Sequence, residues 1–235
     1  MKLRSVTLVC VFVFFTAVAF PQEDRGKVVG RVQEAGNVID EMMAASDSGI
    51  PSSIIDSAKC IAVVPSYLKA AFGIGAQYGR GLASCRTKVG WSAPAFFRLQ
   101  GGSFGFQIGG QAIDLIVLIM NDHGMQALLS SKFNLGGDAS VAAGPVGRQA
   151  DASTDWKMRA EVLTYSRARG IFAGVSLNGA VINQDGSATR DFYGRIIPFK
   201  TLLNGETPAP KDAEPFLAAL RKHAGEKSDS KSSGR

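Results

Sequence analysis

The chain has 235 residues, of which 46% are hydrophobic, with a formal net charge of +6. That length allows one large domain or two small ones. The excess charge sits at the ends: Lys2 and Arg4 open the chain, and Arg221, Lys222, Lys227, Lys231 and Arg235 face only Glu226 and Asp229 near its close. The body between is almost neutral, unlike a nucleic-acid-binding domain, which gathers its bases on one face.

Residues 1–19 have the layout of a secretory signal peptide: a basic start, an apolar stretch from Val6 to Phe15, and small residues at Ala17-Val18-Ala19. The apolar stretch is too short for a convincing membrane span. Export leads to an oxidising compartment with two remaining cysteines, Cys60 and Cys85. They fall on candidate strands Lys59 to Val64 and Leu82 to Thr87, which a loop can return antiparallel. Either a disulfide or two buried thiols acting as small apolar groups fits this placement.

Val28, Val32, Ala35, Ile39 and Met42 recur at steps of three and four, which predicts an amphipathic helix from about Gly26 to Ser46. Its polar side begins with Arg25, Lys27 and Arg31 but continues with Glu34, Asp40 and Glu41. A helix lying on a membrane is more uniformly basic, so this one is expected to pack on its own domain. Pro51 suits the first turn of a short helix through Ala58. Cys60 to Val64 then reads as a buried strand stopped by Pro65.

Gly90 to Gly110 mixes Trp91, Phe96, Phe97, Phe104 and Phe106 with glycines, a composition of strands rather than helix. It predicts two strands and a turn. At period two, Phe104, Phe106 and Ile108 share one face and Gly105, Gln107 and Gly109 the other. Gly75, Gln77 and Gly79 repeat that bare face, and Phe172, Gly174, Ser176 and Asn178 echo it loosely. Such a face invites the close approach of another backbone, a helix or a ligand.

Ala112 to Met120 is expected as a central strand buried on both faces. Asn121 or Asp122 then caps a helix through Ser131. Gly136 to Gly147 alternates and turns at Gly144-Pro145. Beyond a polar link, Trp156 to Arg167 and Gly170 to Ile182 read as a hairpin, and Asn183-Gln184-Asp185-Gly186 as a turn. Residues 204–235 divide into a Pro-containing linker, a short helix over Asp212 to His223 and a disordered basic tail. The predicted fold is α+β: a curved, mainly antiparallel sheet or open β-barrel over residues 20–203, with the N-terminal helix and the helix near 122–131 packed on it.

Catalytic signatures are missing. The two histidines, His123 and His223, stand at a helix start and beside the tail. No nucleophile elbow, phosphate-binding loop or zinc-type spacing occurs. The expectation is therefore a non-enzyme with no cofactor and no metal. Lipid contact requires an apolar insertion surface and cations at head-group level. Trp91, Phe96 and Phe97 with Arg86, Lys88 and Arg98 form one candidate set; Arg25, Lys27 and Arg31 form a second.

The stretches IPSSIIDSAKCIAVVP (50–65), GWSAPAFFRL (90–99), GGSFGFQIGGQAIDLIVLIMN (101–121), LGGDASVAAGPVG (135–147) and YSRARGIFAGVSLNG (165–179) together resemble the SYLF family, found in eukaryotic endocytic adaptors and secreted bacterial proteins. The resemblance implies a module that binds membrane lipids, phosphoinositides in the eukaryotic members, and an association with actin filaments in some adaptors. With the signal peptide, it leads to an exported, non-catalytic lipid- or membrane-binding protein, secreted or periplasmic. The other reading is a periplasmic structural or protein-interaction module that uses its glycine-faced strands.

Overall fold

The computed structural model describes residues 24–45, 49–130, 132–146, 160–168, 171–174 and 177–225, with the side chains of 71–74, 103–109 and 171–174 outside the description. The helices and strands run in the order α1 (Arg25–Ala44), α2 (Ser52–Ser57), β1 (Cys60–Thr87), β2 (Gly90–Trp91), β3 (Ala95–Ile119), α3 (Asp122–Leu128), β4 (Lys132–Asn134) and β5 (Val141–Ala143). They continue with β6 (Val162–Ala168), β7 (Ile171–Gly174), β8 (Val181–Gln184), α4 (Gly186–Tyr193), α5 (Phe199–Leu203) and α6 (Glu214–Ala224).

β1 and β3, of 28 and 25 residues, form a long antiparallel ribbon from Cys60↔Ile119 to Ala83↔Ala95. The ribbon curls until the two ends of β1 touch: Arg86 N donates to Lys59 O at 2.8 Å, and the sulfurs of Cys60 and Cys85 are bonded at 2.00 Å. The second half of β3 pairs with β6 and its first half with β8, which also holds β4. β7 is antiparallel to β6, whereas β5 lies parallel to it. The result is a strongly curled, mainly antiparallel half-barrel of eight strands with helices packed on it, an α+β fold.

Several expectations from sequence are corrected. Pro65 does not end a strand. It sits with Ser66 in a bulge opposite Asp114, where two residues oppose one. A bulge needs no ladder bond from proline, and the Asp114 carboxylate instead accepts from Ser66 N at 3.1 Å. Lys59–Val64 and Leu82–Thr87 are thus the two ends of one strand. Gly90–Gly110 contains the short β2 and then β3, which runs unbroken through Gly101-Gly102 and on to Ile119. Residues 105–107 fall where the ladder shifts between Phe72 and Ile74, so pairing does not follow the regular alternation expected over 104–109. Of the predicted hairpin, β6 and β7 remain, while Val181–Gln184 is a separate strand; Trp156 to Arg159 lie outside the described residues. Asp185 makes no hairpin turn. Its side chain caps α4, accepting from Ala188 N at 3.2 Å.

The bare face of β1 has a direct cause in the closure of the ribbon. A Cβ on Gly79 would stand 2.4 Å from Val64 Cγ1, and one on Gly81 would stand 2.4 Å from Val63 O. The returning half of β1 lies against its own beginning there. The two Gly-Gln-Gly triplets are not partners, since Gly75, Gln77 and Gly79 pair with Ser103, Gly101 and Leu99.

Alternate residues of the ribbon feed two cores. Ile61, Val63, Leu82, Phe96, Ile116 and Leu118 face α1, α2, α4 and α6. Ala62, Val64, Phe97, Leu99, Leu115 and Val117 face inward with Phe133, Ile182, Leu202 and Leu203. α6 buries Phe216, Leu217 and Leu220 beside α1, and Asp40 of α1 accepts from Lys222 Nζ and meets His223 Nε2, both at 2.7 Å. Those two bonds hold the Asp40 carboxyl below its ordinary range. Among the described residues no helix is long and apolar enough to cross a membrane.

Candidate functional site

Arg25, Arg86 and Arg98, three of the six cations picked out as head-group contacts, are spent on internal bonds. Arg86 is half-buried, and its guanidinium donates to Ala58 O at 2.9 Å, Asp56 O at 3.1 Å and Gly225 O at 2.7 Å, and also to Ala224 O. It therefore closes the C-terminal ends of α2 and α6, whose last carbonyls lack helical partners and carry negative partial charge. Burial pushes its pKa down, and the nearby Asp56 opposes that shift. The half-buried Trp91 lies under it, ring centre 4.5 Å from the guanidinium carbon.

Arg98 reaches across the sheet to α4. Its Nη2 donates to Asp185 Oδ1 and to Ser187 Oγ, each at 2.8 Å. Burial of Asp185 pushes its carboxyl up, but bonds from Arg98, Ser187 and Ala188 N outweigh this and bring it down to about 2. Arg25 does for α4 what Arg86 does for α2 and α6, donating to Phe192 O at 2.8 Å while pairing with Asp212 at 2.7 Å. Arg31 is half-buried, and Lys27 extends into solvent.

The aromatic half of the expected surface is core. Phe96 and Phe97 are both 0% exposed. Neighbours on a strand point to opposite faces, so each enters one core, and Phe96 meets Phe192 edge-on at 5.0 Å. Neither can touch a lipid in this fold. The second set fares no better as an insertion surface. α1 buries Val28, Val32, Val38, Ile39 and Met42, and lifting them into water would cost on the order of 10 kcal/mol.

One of the predicted residues stands where a ligand can reach it. Thr87 and Gly90 flank a two-residue loop, Lys88-Val89, at the tip of the β1–β2 hairpin. Thr87 Oγ1 donates to Gly90 O at 2.8 Å and accepts from Val89 N at 3.3 Å, which fixes the loop. Gly90 takes φ 113°, a conformation suited to glycine. Lys88 is exposed and Val89 is 91% exposed. Beneath the tip is a shallow groove of about 460 Å³ lined by Arg86, Thr87, Lys88, Val89, Met125, Leu203, Asn204 and Gly205. Its walls are apolar and amide in character, with a cation at the rim.

This arrangement can accept an apolar or anionic group, and no histidine, cysteine or carboxylate is among the residues that line it. His123 pairs with Glu161 at 2.5 Å on the surface, away from the groove lining. Among the described residues no cluster of histidine, cysteine and carboxylate side chains could hold a metal. Sequence reasoning picked Arg86 and Lys88 and passed over Val89, Met125, Leu203, Asn204 and Gly205. A signal for Val89 was present, since a Lys-Val pair between a strand end and a glycine is a tight loop with an apolar residue at its tip.

Residues 100–223 match the family model Ysc84, described as "Las17-binding protein actin regulator". The chain is similar to human SH3 domain-containing YSC84-like protein 1, 36% identical over 176 residues that cover 74% of this chain and 51% of that protein. It is also similar to Protein YSC84 of Saccharomyces cerevisiae, 33% identical over 183 residues, 76% of this chain and 39% of that one. SH3 domain-containing protein PJ696.02 of Schizosaccharomyces pombe is 35% identical over 175 residues, 73% and 40% of the two chains. The chain thus spans about half the length of the curated relatives it matches, or less. Matched by the family model over more than half of its own length, the chain belongs to the Ysc84, or SYLF, family.

Proposed function

We propose that this protein is an exported, non-catalytic binding module that contacts membrane lipid through the tip of the β1–β2 hairpin. The observation that carries the reading is Val89, 91% exposed beside the exposed Lys88 at a rigid loop. Full burial of a valine stabilises by roughly 1.5–3 kcal/mol. A lysine close to an anionic surface adds about 1 kcal/mol. Together these give only about millimolar affinity, so the contact is weak, depends on both groups, and fades with salt. The groove under the tip offers room for an anionic phospholipid head group between Lys88 and Asn204. Export is supported by the layout of residues 1–19, which lie outside the described residues, and by the disulfide.

The test is co-sedimentation of the chain lacking residues 1–19 with neutral and anionic vesicles at two salt concentrations. Pelleting with anionic vesicles at low salt, lost in Val89→Asp and in Lys88→Glu, supports the reading. A chain that pellets with no lipid overturns it. The family description and the relatives' names favour a second reading, association with actin filaments. Pelleting with filaments in the absence of vesicles, unaffected by Val89→Asp, would favour that reading instead.

A further inference from the structure

A second surface lies far along β1 from the hairpin tip. The register pairs Arg80 with Arg98, Arg98 with Asn183, and Asn183 with Lys132, so one row crosses β1, β3, β8 and β4. Residues directly opposite in antiparallel strands share a face. Burial agrees: the adjacent Gly79, Leu99, Ile182 and Phe133 are buried on the inner face, whereas Lys132 is exposed and Arg80, Arg98 and Asn183 are half-buried. Tyr78 and Gln100, one step along, are exposed on the same face as the row.

We infer that this row is a docking surface for an acidic, extended segment of a partner protein. Neighbouring strands are about 4.8 Å apart, so four strands make a row about 14 Å wide. Same-face side chains of an extended segment repeat every ~6.7 Å, and three of them cover about 13 Å. Three alternate carboxylates therefore match the width over which Arg80, Arg98 and Lys132 are spread.

The row is also set in advance. Asp185, 0% exposed, accepts from Arg98 and Ser187 and lies 3.8 Å from Arg80 Nε, which donates to Tyr78 Oη at 2.9 Å. The outward donors that remain on guanidinium groups held in this way suit the carboxylates of a docking segment. Asp185 offsets one charge of the row, while Lys132 at the far end adds another. A lipid surface is the poorer fit: the row itself carries no large apolar side chain, and Tyr78, one step along, has its hydroxyl bonded to Arg80.

This inference does not rest on the lipid reading, and its test is separate. A dye-labelled peptide of about eight residues, alternating aspartate and serine, is titrated with the chain lacking residues 1–19 and followed by fluorescence anisotropy. The same peptide with asparagine for aspartate is the control. The acidic peptide is expected to bind at low salt and to weaken as salt rises, and the control is expected not to bind. Lys132→Glu, a surface change, and Arg80→Gln should each weaken binding about two- to fivefold, with unaltered circular dichroism, while Lys88→Glu leaves it unchanged. Absence of binding at low salt overturns the inference. So does loss in Lys88→Glu equal to that in Lys132→Glu, or pelleting with anionic vesicles that depends on Lys132 rather than Val89.

Discussion

Cys60 and Cys85 belong to the same strand, 25 residues apart, yet their Cα atoms lie 3.9 Å from each other and their sulfurs are bonded. The bond clasps the curled ribbon at the place where its first strand returns to its own start. Both cysteines are 0% exposed, so the clasp is part of the inner core.

Because the bond is buried, reductant alone should leave it intact under native conditions. Alkylation followed by mass measurement should label neither cysteine in the untreated protein, and both after denaturation with reductant. Cys85→Ser should lower the unfolding free energy by about 2–4 kcal/mol, read from denaturant midpoints. Free thiols in the untreated, denatured protein would remove the clasp.

Gly81→Ala should destabilise by about 1–3 kcal/mol, because its Cβ would stand 2.4 Å from the backbone oxygen of Val63, which cannot swing aside. Gly30→Ala provides the opposite sign. It lies within α1 with nothing within 4 Å of an added Cβ, so the change should stabilise by close to 1 kcal/mol. Thermal unfolding of the two variants side by side checks both.

Asp185 makes acid stability measurable at one residue. Its folded pKa, about 2, lies below the ordinary carboxylate value, so its contribution is present above pH ~4 and is lost as pH falls towards 2. The shift corresponds to about 2 kcal/mol. Asp185→Asn keeps a capping side chain for α4 but leaves Arg98 without its charge partner. Urea unfolding between pH ~2 and ~7 should show stability falling less steeply with acid in the variant, from a lower plateau near neutrality.

Arg86 and Lys88 are near neighbours in sequence with opposite roles. Arg86→Ala should cost about 3 kcal/mol, since four carbonyl oxygens at the ends of α2 and α6 lose their donor. Arg86→Lys should recover only part, because a point charge cannot serve that fan of acceptors. Lys88→Glu should leave the denaturant midpoint unchanged and affect only vesicle binding.

The helices were legible where apolar spacing or a side-chain cap marked them. α1 follows the Val28-to-Met42 stripe, α3 begins at the Asn121 cap, and α6 buries Phe216, Leu217 and Leu220. The strands were harder because their punctuation misleads. Pro65 sits in a bulge and Gly101-Gly102 inside a ladder, so residues that usually end a strand are carried through by a ribbon paired along nearly its whole length. Asp185 deceived for a related reason: the side-chain chemistry that favours a turn also caps a helix.

The candidate site was legible only in part. Phe96 and Phe97 looked like a surface pair, but a ribbon with a core on each side buries both faces. The bonds that occupy Arg86 span 28 to 139 residues, and no local pattern announces them. Lys88 was picked out from sequence and Val89 beside it was not, although a tight loop exposes whatever it carries.

The most direct test of the account is vesicle co-sedimentation of the chain lacking residues 1–19 beside its Val89→Asp variant, at low salt with anionic lipid. The parent chain is expected to pellet, and the variant, equally folded, to stay in solution. Equal pelleting of the two, or none by either, would contradict it.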